Sequence, residues 1–250
     1  MEEHNVKNGN DKPSFLLGFF VGMSIISLVS FFVLFGLMWK LNGNDSSTNT
    51  ASATGNTVNE TGEVADSGYG QYPAPEVKNA TALNAKDHVY GNKDAKVTII
   101  EYFDFECPYC SKNFATMEQI KKAYGDKIKV AYRHFPLDFH QNAHPAAKAS
   151  ECAADQGKFW EMHGKIFSNQ ASLGTAGIFV TWAKELGLNE GTFTQCFNGA
   201  SKDALIQEMM SMGMSDGVQG TPAVFINDKF VSGAYPYEYF AQIIDEELAK

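Results

Sequence analysis

Hydrophobic and polar positions divide this chain of 250 residues into three unlike stretches. From Phe15 to Trp39 no charged residue occurs, and Phe, Leu, Ile, Val, Gly and Ser dominate. A helix crossing a bilayer core of ~30 Å needs about 20 such residues, so the run predicts a membrane anchor at 15–39. A cleavable signal peptide has a shorter apolar region, about 7–15 residues, with a small-x-small site directly after it. Here "MWKLNGND" follows instead, and an uncleaved single span is expected. Lys7 and Lys12 precede the run and Lys40 alone follows it closely. That excess of positive charge predicts a cytoplasmic N-terminus, 1–14, and an extracytoplasmic remainder in the cell membrane.

The second stretch is polar. Residues 42–72 are rich in Asn, Ser, Thr and Gly and nearly free of large aliphatics. Such a segment buries too little apolar area to offset its ordering entropy, so a flexible linker is expected over 40–84. Asn-x-Ser/Thr triplets at Asn44, Asn59 and Asn79 follow from this composition and carry little weight as glycosylation sites.

Periodic sequence begins near Asp87 and predicts a folded domain over 85–250. "VTIIEYF" (97–103) has the short, β-branched and aromatic run of a buried strand. A helix follows, with Cys110, Phe114, Met117 and Tyr124 on one face. "KIKVAYRHF" (127–135) predicts a second strand. Over about 141–214 the pattern turns to helices punctuated by Gly157, Gly187 and Gly199, one of them opened by an Asn cap. Strand character returns in "PAVFI" and "KFVSGA", a hairpin about Asn227–Asp228. A last amphipathic helix starts at Pro236, with Phe240, Ile243, Ile244 and Leu248 inward. The expected class is α/β: one mixed sheet flanked by helices, with an all-helical domain inserted in its middle.

The net charge of −9 argues against a nucleic-acid partner, since phosphate binding needs a basic patch. Four cysteines are present. Cys107 and Cys110 form a CxxC just after the first strand. A structural zinc site pairs one CxxC with a second, or with closely spaced histidines; Cys152 and Cys196 are far apart, and no metal is expected. A purely structural bridge within a CxxC closes too small a loop to stabilise much. A redox pair gives each position a physical reason. Cys107 stands where strand meets helix, so unsatisfied N–H groups of the first turn and the helix dipole stabilise its thiolate. Pro108 suits the first helical position. Cys110, one turn in on the apolar face, is shielded. An exposed nucleophile of low pKa beside a buried resolving thiol is what thiol–disulfide exchange requires.

Four landmarks, "VTIIEYFDFECPYC", "AAKASECAADQGKFWEMHGKIF", "GVQGTPAVFIN" and "VSGAYPYEYF", resemble the DsbA-like branch of the thioredoxin superfamily, especially membrane-anchored bacterial members with a helical insertion. The resemblance covers residues 85–250 and implies a thioredoxin-like fold. It also implies that Thr221–Pro222 is a threonine and cis-proline loop facing the CxxC, with backbone that pairs with an extended substrate peptide. Glu101, the lone carboxylate of its strand, matches the buried acid beneath the dithiol; burial would raise its pKa and let it exchange protons with Cys110. The competing reading of Glu101 is an acid reaching solvent at a strand edge. The chain departs from the family's strongest oxidants, which have Pro-His where this one has Pro-Tyr. Tyr109 supplies no positive charge to the thiolate, and Glu106 beside Cys107 disfavours it.

The expected function is that of a tethered extracytoplasmic thiol–disulfide oxidoreductase, introducing disulfides into exported cysteine-containing proteins. Cys107, Cys110 and Glu101 are the expected catalytic residues. Pro108, Tyr109, Thr221 and Pro222 are expected to meet the substrate. No cofactor is expected, and turnover as an oxidant implies a quinone-linked membrane reoxidase. An isomerase or reductase, or a non-catalytic peptide-binding or copper-handling module, is the alternative. Isomerases of the superfamily usually carry an added dimerisation domain, for which 42–84 is too polar, so an oxidant is favoured over them; a monomer is expected. The cluster Met209, Met210, Met212 and Met214 offers soft copper(I) ligands, but methionine more often fills core gaps or lines an adaptable surface. Finally, Cys152 and Cys196 lie on helices of the inserted block, and a structural disulfide is expected between them; two buried free thiols are the alternative.

Overall fold

Val97–Phe103 forms the central strand of the sheet, and its alternating side chains serve two cores at once. Its odd positions, including Val97, Ile99 and Phe103, enter one apolar cluster, while Ile100 and Tyr102 enter another on the opposite face. The computed structural model describes residues 72–250. Its strands are β1 (Glu76–Val77), β2 (His88–Gly91), β3 (Val97–Phe103), β4 (Ile128–His134), β5 (Ala223–Ile226) and β6 (Lys229–Ser232). Its α-helices are α1 (Pro108–Tyr124), α2 (Ala143–Ala154), α3 (Phe159–Ser168), α4 (Ile178–Glu185), α5 (Glu190–Asn198), α6 (Asp203–Ser215) and α7 (Tyr237–Ala249).

The strands form one mixed sheet in the order β1-β6-β5-β3-β4-β2. Only β3 and β4 run parallel, joined by α1, as a right-handed crossover requires an intervening helix; the other pairs are antiparallel. Helices α2 to α6 all fall between β4 and β5, which makes them an insertion in a thioredoxin-like fold. The β5–β6 hairpin closes over Asn227–Asp228, and Asn227 takes the left-handed φ of 51° that asparagine tolerates. Its side chain accepts from the Thr98 backbone N–H at 2.9 Å, which docks the turn on the start of β3.

The first face of the sheet is covered by α1 and α7. The second is covered by α6, whose Gly213 admits close approach: a Cβ there would stand 2.6 Å from the Phe135 ring. The methionines of α6 spread around it, with Met209 buried, Met210 and Met212 half-buried and Met214 exposed. The inserted block is fastened to the sheet by Glu151 of α2. Its Oε1 lies 2.9 Å from both His134 Nε2 on β4 and His88 Nε2 on β2.

The linker expected over 40–84 needs correction at its C-terminal end. From Tyr72 on, the chain belongs to the folded unit, and β1 adds an edge strand to β6. The fully buried Arg133 explains how so polar a stretch is held. Its guanidinium donates to both oxygens of Asp87 (2.8 Å each), to the Thr81 and Ala82 carbonyls (2.9 and 3.1 Å), and to the Tyr102 hydroxyl (2.9 Å). Tyr102 in turn donates to Asp216 at 2.6 Å, and Asp216 also accepts from the Thr81 hydroxyl and backbone N–H. Backbone carbonyls satisfied by a buried charge leave no hydrophobic signal in sequence. The expected anchor at 15–39, the segment 1–14 and residues 40–71 lie outside the described residues. No helix among the described residues is long and apolar enough to cross a membrane.

Candidate active site

Cys107 is the N-cap of α1, with extended backbone (φ −69°, ψ 123°) and Pro108 next at the start of the helix. An N-cap side chain stands over the free N–H groups of the first turn. Hydrogen bonding from the Cys110 thiol and the N–H groups of Cys110 and Tyr109 outweighs burial and lowers the Cys107 pKa to about 6. Cys110, one turn on and 0% exposed, is pushed well above the usual thiol range, first by burial and then by Cys107 itself. Both thiols are free in this structure. The expectation of an exposed Cys107 is corrected: the residue is only 4% exposed. Its sulfur lies under the carbonyl oxygen of Thr221, 3.4 Å away. Pro108 and Tyr109 are the exposed members of the motif, Tyr109 at 65%.

The Thr221–Pro222 peptide bond is cis, and it leads directly into β5. The Pro222 carbonyl is taken by the Gly233 N–H at 2.9 Å, which holds the loop against the end of the hairpin. Thus β3 delivers Cys107 and β5 delivers Thr221 to the same end of neighbouring strands. Glu101, in the middle of β3, is 1% exposed and does not reach solvent at a strand edge. Its Oε1 accepts from Asn113 Nδ2 at 2.9 Å. Burial raises its pKa to about 7, opposed by that hydrogen bond and by Lys121. The carboxyl therefore titrates near neutrality, within range of the Cys110 sulfur it disfavours as a thiolate.

Several residues that sequence reasoning passed over build this site. Asp104, buried at the end of β3, accepts from the backbone N–H groups of Glu106 (2.7 Å), Cys107 (3.2 Å) and Leu137 (2.8 Å), and pairs with His140 Nδ1 at 2.8 Å. Its own N–H points at Cys110 Sγ, 3.4 Å away. Glu106 is drawn away from the role of destabilising neighbour, because its carboxylate accepts from the Asn142 N–H (2.6 Å) and side-chain amide (2.8 Å). Gln170 Nε2 reaches from the inserted block to the carbonyls of Phe105 and Cys107, 2.9 Å each. The only hint in sequence was the acid two residues ahead of "ECPYC". Elsewhere, Cys152 and Cys196 form a disulfide between α2 and α5, with Cα atoms 5.8 Å apart. Among the described residues no cluster of His, Cys, Asp and Glu is arranged to hold a metal ion.

A family model described as thioredoxin matches residues 83–246. This chain belongs to the thioredoxin family. Its described residues carry the fold of the DsbA-like thiol–disulfide oxidoreductases. Solved structures similar to it include alpha-DsbA1 from Wolbachia pipientis, 25% identical with a TM-score of 0.61, covering 67% of this chain and 93% of that one. BdbD from Bacillus subtilis, in its oxidised form, is also 25% identical with a TM-score of 0.61, covering 70% and 98%. Among curated proteins, a Na(+)/H(+) antiporter NhaA 1 of Salinispora arenicola is 34% identical over 165 residues. That match covers 66% of this chain and only 25% of the antiporter.

Proposed function

We propose that this DsbA-like domain oxidises exported proteins, acting outside the cytoplasm on a tether formed by the apolar run at 15–39. The observation that carries the reading is the geometry of the dithiol: Cys107 caps α1 against the cis Thr221–Pro222 loop, and Cys110 is buried one helical turn on. That arrangement lowers the pKa of the first thiol and raises that of the second. A low-pKa thiolate stabilises the reduced form and makes the disulfide oxidising. The Cys152–Cys196 bridge suits an oxidising compartment, where structural disulfides persist.

The chemistry balances as two thiol–disulfide exchanges. A substrate thiolate attacks Cys107 Sγ of the Cys107–Cys110 disulfide, the S–S bond breaks, and Cys110 leaves and takes a proton by way of Glu101. The second substrate thiolate then attacks the substrate sulfur of the mixed disulfide and expels the Cys107 thiolate. The substrate loses two electrons and gains a disulfide, and the domain is reduced. Thr221 and Pro222 position the substrate backbone beside Cys107, while Pro108 and Tyr109 form the rim it crosses. A membrane reoxidase that passes the electrons to quinone completes the cycle.

The test is equilibration of Cys107–Cys110 with glutathione. A potential near ~−120 mV is expected of an oxidant, whereas one near ~−270 mV marks a thioredoxin-like reductant and overturns the reading.

A further inference from the structure

Every residue from Asp104 to Cys107 is tied to chain that follows β4. Asp104 is bonded to Leu137 and His140, Glu106 to Asn142, and Phe105 and Cys107 to Gln170. The last of these is unlike the others, because it acts on the backbone of the reactive cysteine itself. A primary amide has two N–H donors, and Gln170 uses its nitrogen on two carbonyls that flank Glu106. Phe167, one helical turn before Gln170, packs its ring 4.9 Å from that of Phe105 and reinforces the same contact. Cys107 has extended N-cap backbone, and its carbonyl also accepts the first hydrogen bond of α1, from Ser111 at 3.1 Å.

We propose that Gln170 is a positioning residue for the dithiol, fixing the Cys107 backbone so that its sulfur stays aimed at the first turn of α1 and the Thr221 carbonyl. Thiol reactivity thereby depends on how the inserted helical block is seated. The inference rests on the reading of Cys107 as the sulfur that exchanges with substrate. Its physical basis is tolerance: reactive groups work only when neighbours hold them to within ~0.5 Å of the productive geometry. The hydrogen bonds that stabilise the thiolate come first from the Cys110 thiol and then from N–H groups of the first turn, so a loop free to shift dilutes them. Asp104 holds the N–H side of the loop and Gln170 the carbonyl side; neither substitutes for the other.

The experiment uses the full-length chain carrying Gln170→Met, similar in length and without a donor, and Gln170→Glu, whose carboxylate accepts but does not donate. Thiolate absorbance is titrated against pH, and the dithiol is equilibrated with glutathione. The expected result is a Cys107 pKa higher by about one unit and an exchange equilibrium shifted up to about tenfold toward the disulfide form. That shift corresponds to a potential ~30 mV more negative. Gln170→Glu should show at least the same change, which keeps the test available if the methionine variant folds poorly. A lower melting temperature with wild-type pKa and equilibrium would overturn the proposal, leaving Gln170 as a brace. Wild-type protein in which Cys107 reacts no faster than Cys110 would overturn the underlying reading, and the proposal with it.

Discussion

The sulfur of Cys107 lies 3.4 Å from the backbone carbonyl of Thr221, a residue 114 positions further along the chain. A carbonyl accepts a hydrogen bond from a thiol but offers none to a thiolate. Ionisation of Cys107 therefore leaves that carbonyl at the edge of the cis-proline loop without this partner.

Reactivity should divide sharply between the two thiols. With a pKa of about 6, Cys107 is roughly nine-tenths ionised at pH 7, while Cys110 stays protonated. Mass mapping after brief treatment with a small alkylating reagent should find the label on Cys107, its rate falling about tenfold per pH unit below 6. Equal labelling would contradict the assignment. Cys110→Ser should accumulate mixed disulfides with substrates, visible on non-reducing gels, because the resolving thiol is gone.

Glu101 should make the reduced protein less stable as pH rises. Its folded pKa is raised from 4.5 to about 7, so between those values the folded state binds more protons than the unfolded chain. Stability from this group is fully present below pH 4.5 and is lost as pH climbs through 7. The shift corresponds to about 3 kcal/mol as an upper figure. Urea denaturation of wild type against Glu101→Gln should show the variant gaining at pH 8 relative to pH 4.5. Parallel pH profiles would mean that the carboxyl titrates normally.

What the sequence disclosed and what it hid follow from one distinction. "VTIIEYF" and "ECPYC" were legible because a strand's apolar run and a helix-capping CxxC–Pro pattern are local properties. The helical insertion and the Asn227 hairpin followed from similar periodicity and turn chemistry, whereas the edge strands β1 and β2 are too short and polar to show in it. Gln170 and Asn142 were not legible, because their partners are backbone groups or an acid brought near only by the fold, as are the Leu137 and His140 partners of Asp104. The same holds for residues 72–84: a stretch poor in aliphatics resembles a linker, and its anchor is Arg133, some 50 residues downstream. Glu106 misled for the converse reason, since adjacency in sequence to Cys107 says nothing about where its carboxylate turns.

The Cys152–Cys196 bridge should stabilise without taking part in exchange. It closes a separation of 44 residues, for which the chain-entropy model gives about 4 kcal/mol as an upper figure. Cys152→Ala combined with Cys196→Ala should lower the melting temperature and leave the Cys107 alkylation rate near wild type. A large change in that rate would show that the bridge acts on the dithiol through α2.

Tyr109→His should render the disulfide more oxidising. The side chain is exposed at the first turn of α1, where an imidazolium would favour the Cys107 thiolate and hence the reduced form. Each pKa unit is worth ~30 mV for this two-electron couple. An unchanged potential against glutathione would mean that solvent screens position 109 and that the helix terminus and Cys110 set the thiolate by themselves.

The buried guanidinium of Arg133 also determines how the domain bears mechanical load. A pull transmitted along the chain from its N-terminal side meets Tyr72 first, packed on Tyr235 and Tyr239. It then meets the two-residue ladder of β1 on β6, and only afterwards the Arg133 cluster at Thr81, Ala82 and Asp87. These fastenings stand in series, weak before strong, so the outer ones act as a fuse. Peeling to Lys78 would strip β1 from the edge of the sheet while β2 to β6, the dithiol and the cis-proline loop stay assembled behind the ionic clamp. A pull on the first described residues would thus be spent on β1 before it reached the dithiol.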